Sequence, residues 1–125
     1  YTSETKYLTW ISCYTQRVFV FEGSKGNWKL IKTFLVSTGD NDTPTPIGTY
    51  RTEYHVNQWN YDEFYVNKIT VFHGGHAFHS ILYKYNGSIY NDRVGVSLSH
   101  GCIRMLPNDV NYIYNLPLHT RVVVY

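Results

Sequence analysis

The sequence predicts a mainly β fold, an antiparallel sandwich or barrel with one short helix near the C-terminus. Segments rich in β-branched and aromatic residues recur along the 125 residues and are separated by Gly, Asn, Asp and Pro. Only one segment has helical periodicity. The length suits one domain with a packed core, and no repeat or linker divides it. We therefore predict a single domain over residues 1–125.

The predicted strands follow one another with turn signals between them. The first three cover residues 7–13, 17–21 and 28–36, and the last two of these pair as a hairpin across the Gly-containing turn at 22–27. A polar loop with two prolines follows at 37–46. Later strands are predicted at 48–54, 64–72, 77–83 and 120–125, with Asn86-Gly87 as a turn.

The one predicted helix covers residues 106–115. Pro107 suits its first position, because proline needs no hydrogen-bond partner for an N–H there. Val110, Ile113 and Tyr114 share one face at i, i+3 and i+4 spacing. Leu116-Pro117 ends the helix, since a residue before proline avoids helical dihedral angles.

Composition excludes some classes of function. The formal charge is +2 and the basic residues are scattered, so we expect no nucleic-acid partner. No apolar run is long enough to cross a bilayer. Because Met105 is the only methionine, we expect a mature or excised fragment, with any membrane contact made through regions absent from this chain.

The segment Ser99-His100-Gly101-Cys102-Ile103-Arg104 carries the strongest chemical signal. A cysteine is nucleophilic as a thiolate, and a nearby imidazole is the usual means of generating one. His100 is the nearest base in sequence, and Gly101 allows a positive φ that could bend the loop suitably. Cys102 lies just before the predicted helix, whose N-terminus would favour a thiolate.

The flanking residues suggest supporting roles. Ser99 could orient the imidazole or bind substrate, and the forked guanidinium of Arg104 suits a carboxylate. An inert, buried cysteine is the competing interpretation of Cys102 and the default for Cys13. A disulfide between the two would consume the better nucleophile, so we do not expect one.

Three histidines at intervals of three, His73, His76 and His79, resemble a metal-binding set. Strand alternation, however, directs His76 away from the face shared by the other two. We therefore predict no metal site, and the family resemblance described next implies that no cofactor is needed.

These motifs resemble the L,D-transpeptidases of bacterial cell walls, the YkuD-like catalytic domain. The most specific match is the Ser-His-Gly-Cys segment together with His79 and Ser80 upstream. Other segments match in the family's order, namely residues 16–21, 34–39, 43–50 with one extra residue, 108–114 and 120–124. Nineteen residues separate His79 from Ser99, more than is usual, and we expect the extra residues at 83–93 to lie over the site.

The resemblance implies a sandwich or barrel of mixed strands with Cys102 as the nucleophile. His100 would be the base, oriented by the backbone carbonyl of Ser99 or Gly101. His79 would line the site and help to hold substrate or the oxyanion. Ser99, Ser80, Gly101 and Arg104 would contact substrate, with Arg104 on a carboxylate.

The implied substrate is a peptidoglycan tetrapeptide stem. Cys102 would form a thioester with loss of D-alanine, and a second stem would take the acyl group in a 3→3 crosslink. Carbapenems would acylate the same thiol. The implied location is extracytoplasmic, at the cell wall or surface. Two alternatives stay open: an L,D-carboxypeptidase that uses water as acceptor, and a non-catalytic module that binds the wall.

Overall fold

The computed structural model describes residues 1–125, which form eleven strands and one helix. In chain order these are β1 (Tyr7–Ser12), β2 (Arg17–Glu22), β3 (Lys29–Ser37), β4 (Gly48–Arg51), β5 (Tyr54–Asn60), β6 (Tyr65–His73), β7 (His76–Ser80), β8 (Leu82–Tyr83), β9 (Ile89–Asn91), β10 (Ile103–Met105), α1 (Pro107–Tyr114) and β11 (Arg121–Val124). The mainly β prediction with one short helix is confirmed.

The strands form one continuous sheet in the order β4-β11-β1-β2-β3-β10-β7-β6-β8-β9, with β5 on β6. Strand β3 joins its two halves, because residues 29–35 pair with β2 whereas Val36 and Ser37 pair with β10. Most pairs are antiparallel, but β1 with β11 and β7 with β10 are parallel. The sheet is therefore mixed, as the resemblance implied.

The two halves of the sheet pack face to face around the main core. Val18, Val20 and Val122 come from one half and Phe78 and Met105 from the other, and all five lie in the same buried cluster. Burial of such aliphatic and aromatic side chains is the main stabilising contribution to the fold.

Helix α1 packs on this core through Val110 and Ile113, both about 1 % exposed. Pro107 occupies its first turn, as predicted. Tyr114 packs at the edge of the same face, with its ring 4.5 Å from that of His55. This helix is too short to span a bilayer.

A second, smaller cluster lies on the opposite face of β6 and β7. It contains Val66, Ile69, Val71, Ala77 and Leu82. Partly buried side chains of β5, of the loop at 60–64 and of Cys102 pack against it. Since neighbouring residues of a strand face opposite sides, Phe78 belongs to the main core while Ala77 and His79 face this second side.

Four strands, β5, β8, β9 and β10, depart from the predictions. A strand was predicted to end at residue 54, but a further strand, β5, covers Tyr54–Asn60. Strand β10 lies between Cys102 and the helix, where no strand was predicted. Residues 83–93, expected over the site, contain strand β9, which forms a hairpin with β8, and Tyr83 of β8 pairs with Tyr65 of β6. The extra length therefore extends the sheet at its edge.

Candidate active site

Strands β7 and β10 bring the candidate groups to one face of the sheet. Their parallel register aligns Ile103 with Phe78 and Arg104 with His79. Aligned residues of parallel strands point to the same side, and alternation places Cys102 on the side of Arg104. The thiol, the imidazole of His79 and the guanidinium of Arg104 therefore share the face opposite the main core.

These three groups line a cleft of about 870 Å³ that is open to solvent. One wall is the loop between β5 and β6, and the opposite wall is the segment that precedes β10. The lining residues are Asn60, Tyr61, Asp62, Glu63, Phe64, Val66, Gly75, His79, Leu82, Leu98, Ser99, His100, Cys102 and Arg104. The volume is that of a pocket for a small ligand or a peptide segment.

The turn that carries Cys102 is held by hydroxyl groups of the polar loop. Thr45 Oγ1 donates to the Gly101 carbonyl at 2.9 Å, and the same oxygen accepts the N–H of Gly39 at 2.9 Å. Ser99 Oγ donates to the Cys102 carbonyl. Ser99 is 6 % exposed. The Ser99 hydroxyl thus braces the turn, and because Ser99 also lines the cleft, its expected contact with substrate or with an imidazole stays a prediction.

Gly101 is the residue that this turn requires to be glycine. Its φ is +107°, a region that L side chains rarely adopt. A Cβ atom here would also lie 2.8 Å from Cδ2 and Nε2 of the His76 ring. His76 in turn contacts the His73 carbonyl through Nδ1 at 3.2 Å, and their rings stack at 6.0 Å. These two histidines therefore buttress the turn.

Cys102 is half-buried and its thiol is free. Sγ lies 3.5 Å from the Gly75 carbonyl oxygen, to which the S–H donates. Burial raises the pKa of this thiol above its usual range, and a hydrogen bond from the Ala77 backbone acts in the opposite direction. Cys102 does not adjoin the helix, because β10 intervenes and α1 begins at Pro107. The expected support of a thiolate by the helix N-terminus is therefore wrong.

His79 is the buried imidazole of the cleft, with 7 % of its surface exposed. Its Nδ1 lies 2.7 Å from the Ser80 carbonyl oxygen. A carbonyl oxygen can only accept, so Nδ1 carries the proton and Nε2 keeps a free lone pair. Burial lowers the pKa of His79 to about 4, with a smaller contribution from the charge of Arg104. The ring is therefore neutral at neutral pH.

Ser80 supports His79 with its backbone. Its side chain is fully buried, donates to the Ile81 carbonyl at 2.7 Å and accepts the Asn67 N–H at 2.9 Å. A hydroxyl with both roles filled and no exposed surface cannot contact substrate. The Ser80 side chain therefore does not bind substrate, contrary to expectation, and it is the Ser80 carbonyl that contributes to the site by orienting His79.

His100 lies exposed at the rim of the cleft. The carbonyls expected to orient its ring have other partners. Ser99 O accepts the Asp40 N–H at 3.0 Å and Thr43 Oγ1 at 3.3 Å, and Gly101 O accepts Thr45 Oγ1. The oriented imidazole of this site is therefore that of His79.

Arg104 lies at the floor of the cleft, 6 % exposed. One guanidinium nitrogen donates to Asn91 Oδ1 at 3.2 Å and to the Arg93 carbonyl at 3.3 Å. The buried Nε has no hydrogen-bond partner. A buried cation without a carboxylate is rare, so the floor of the cleft is suited to an anionic group.

Tyr61 is a candidate that the sequence analysis missed. It belongs to the loop between β5 and β6 and lines the cleft. Burial raises the pKa of its hydroxyl, and so does the negative charge of the Cys102 thiolate, which places the two groups within electrostatic range. The turn residues Asn60 and Asp62 between the alternating segments around Trp59 and Tyr65 were the signal for this hairpin.

The fold and the site define a class: a β-sandwich domain whose open cleft holds a thiol, an oriented neutral imidazole and a buried guanidinium. Residues 7–124 match the YkuD family, described as the L,D-transpeptidase catalytic domain. The chain belongs to this family.

Two relatives share substantial sequence with the chain. The Bacillus subtilis (strain 168) protein named "Putative L,D-transpeptidase YciB" is 31% identical over 121 residues, with coverage of 87% of this chain and 60% of YciB. A fused Zn-dependent amidase/peptidase/peptidoglycan-binding domain-containing protein from Clostridium acetobutylicum ATCC 824 has 37% identity and a TM-score of 0.83, covering 98% of this chain and 53% of that protein. The chain thus spans little more than half the length of either relative.

More distant structures share the fold. The L,D-transpeptidase LdtMt1 in complex with imipenem has a TM-score of 0.77 at 17% identity, covering 96% of this chain and 59% of that one. L,D-transpeptidase 3 from Mycobacterium tuberculosis with a faropenem-derived adduct has a TM-score of 0.73 at 18% identity, covering 95% and 60%.

Proposed function

We propose that this domain is a cysteine-dependent L,D-transpeptidase acting on peptidoglycan tetrapeptide stems. The observation that carries the proposal is the imidazole of His79, which is fixed by the Ser80 carbonyl on the same face of the cleft as the Cys102 thiol. A nucleophile, a base and a group that orients the base are the recurring parts of nucleophilic acyl transfer.

In the proposed acylation, Cys102 Sγ attacks the carbonyl carbon of the third stem residue. The thiol proton moves to His79 Nε2 and then to the departing amine, so that D-alanine leaves and a thioester remains. Because burial raises the pKa of the thiol and keeps the imidazole neutral, proton removal accompanies attack as general-base catalysis. In this proposal the hydroxyl of Tyr61, a residue that lines the cleft, donates to the developing oxyanion.

In the proposed transfer step, the side-chain amine of a second stem attacks the thioester. His79 Nε2 accepts a proton from that amine and returns it to the leaving thiolate, which yields a 3→3 amide and the free thiol. Arg104 holds a substrate carboxylate at the floor. A substrate of this kind lies outside the cytoplasmic membrane, so the proposal includes an extracytoplasmic location.

Imipenem provides the first test, because LdtMt1 binds it. We expect the wild-type domain to gain the mass of one imipenem-derived adduct, whereas Cys102→Ala gains none. Cys13→Ala is the matched control and should react like the wild type, since Cys13 lies outside the cleft. An adduct on Cys102→Ala, or none on the wild type, contradicts the proposal.

Digestion of a disaccharide-tetrapeptide then distinguishes transfer from hydrolysis. Crosslinked dimer with release of D-alanine supports transpeptidation. Tripeptide as the only product identifies an L,D-carboxypeptidase. Binding to peptidoglycan without release of D-alanine identifies a non-catalytic wall-binding module.

A further inference from the structure

The cleft carries charges of opposite sign on different walls. Arg104 supplies the positive charge at the floor, and the loop between β5 and β6 supplies two carboxylates, Asp62 and Glu63, at the mouth. The two ion pairs of the chain are Lys6–Glu22 and Arg51–Glu4, and none of their members lines the cleft. The charges of the cleft are therefore not neutralised within the protein.

The floor charge points to a ligand. Arg104 is 94% buried, since its exposed fraction is 6%. It has only neutral oxygen partners, from Asn91 and Arg93, and its Nε is unpartnered. Burying a cation costs free energy that neutral acceptors offset only in part, so the floor of the cleft favours an anionic ligand group.

The two carboxylates at the mouth differ in their surroundings. Glu63 Oε2 accepts the Tyr90 hydroxyl at 3.0 Å, which ties the loop to β9. The ring of Phe64 stacks between those of Tyr61 and Tyr90, at 4.9 and 5.1 Å, and stiffens the same loop. Asp62 is exposed and has no cation within ion-pair distance. A fixed loop thus presents a free carboxylate to the cleft.

We propose that Asp62, with Glu63 beside it, binds the side-chain ammonium of a diamino acid in a stem peptide while Arg104 binds a carboxylate. This inference rests on the proposed function and assigns residues that select its substrate. The ammonium belongs either to the third residue of the donor stem or to the same residue of the acceptor stem. Both have the same chemistry, and Asp62 and Cys102 line the same cleft.

The binding experiment uses inactive Cys102→Ala protein and two tetrapeptide stems with meso-diaminopimelate at position three. One stem has a free side-chain amine and the other has that amine acetylated. We expect acetylation to weaken binding to Cys102→Ala about fivefold by calorimetry, a usual effect of one partly exposed charge pair. The loss should disappear in Cys102→Ala/Asp62→Asn and persist in the control Cys102→Ala/Glu53→Gln, whose changed residue lies outside the cleft.

A second measurement distinguishes the two sources of the ammonium. With Asp62→Asn in the active domain, slower release of D-alanine from the free-amine stem identifies the donor. Unchanged release with a lower ratio of crosslinked to hydrolysed product identifies the acceptor.

The proposal is overturned if acetylation has the same effect on binding with and without the Asp62 carboxylate, or if neither stem binds Cys102→Ala. A failure of the proposed function gives a different pattern. The wild type would then form no imipenem adduct and release no D-alanine, while the free-amine stem still bound better than the acetylated one.

Discussion

At the scale of single residues, the sequence predicted which side chains line the cleft but not which imidazole is buried and oriented there. The spacing of His100 and Cys102 indicated a local pair, whereas the buried, oriented imidazole belongs to His79, on a neighbouring strand. Nothing local marks that role, because it depends on the parallel register of β7 with β10. The orienting group is also a backbone carbonyl, and every residue has one.

Substitution of the two histidines should therefore lower the rate of acylation to very different extents. We expect His79→Gln to lower the rate of acylation by imipenem about 10²- to 10⁴-fold, the usual contribution of a positioned base. His100→Gln, which changes an exposed side chain at the rim, should lower it less than about tenfold. Single-turnover mass spectrometry at pH 7 measures both rates. A severe loss in His100→Gln with a nearly normal His79→Gln would return the role of base to His100.

At the scale of elements, the long strands and the helix were predictable, and the short strands were not. Residues 17–21 and 28–36 have strong β composition, and α1 has a clear helical face. Strand β10 has only three residues, too few for a periodic pattern, and it forms because β3 and β7 offer unpaired edges on both sides. Its formation separates Cys102 from the helix.

The turn before β10 gives a prediction for Gly101. We expect Gly101→Ala to lower the free energy of unfolding by about 3 kcal/mol, from backbone strain together with the collision with His76. In a His76→Ala background the collision is removed, so the cost should fall to about 1–2 kcal/mol of strain. Urea unfolding of the four proteins completes the cycle. Equal costs in both backgrounds would show that the His76 ring does not confine this turn.

At the scale of the whole molecule, the fold class could be predicted from the strand pattern, whereas the face-to-face packing of the two halves of the sheet could not. The alternation of side chains along β7 could be predicted from the sequence. Which hydrophobic cluster each face of β7 contacts could not, because that depends on how the two halves of the sheet pack. The same packing buries His79. Burial disfavours the charged form of the His79 imidazole, and this couples the stability of the domain to pH.

This coupling has a definite sign. An unfolded histidine has a pKa near 6.5, whereas the pKa of folded His79 is about 4. Between these values the unfolded chain binds a proton that the folded domain does not, so acid favours unfolding. The contribution of His79 is fully present above pH 6.5 and is lost as pH falls through 4, by about 3 kcal/mol in total.

His79→Gln provides the comparison that isolates this contribution. It removes the titration of His79 and leaves the other ionisable groups, including His55 with its lowered pKa, in both proteins. From urea unfolding at pH 7, 5.5 and 4, we expect the wild type to lose about 3 kcal/mol more than the variant, mostly between pH 6 and 4. Parallel losses in the two proteins would mean that His79 accepts a proton within the folded cleft at its ordinary pKa. Its imidazole would then be partly charged when Cys102 reacts, which would contradict the neutral general base assumed in the proposed acylation.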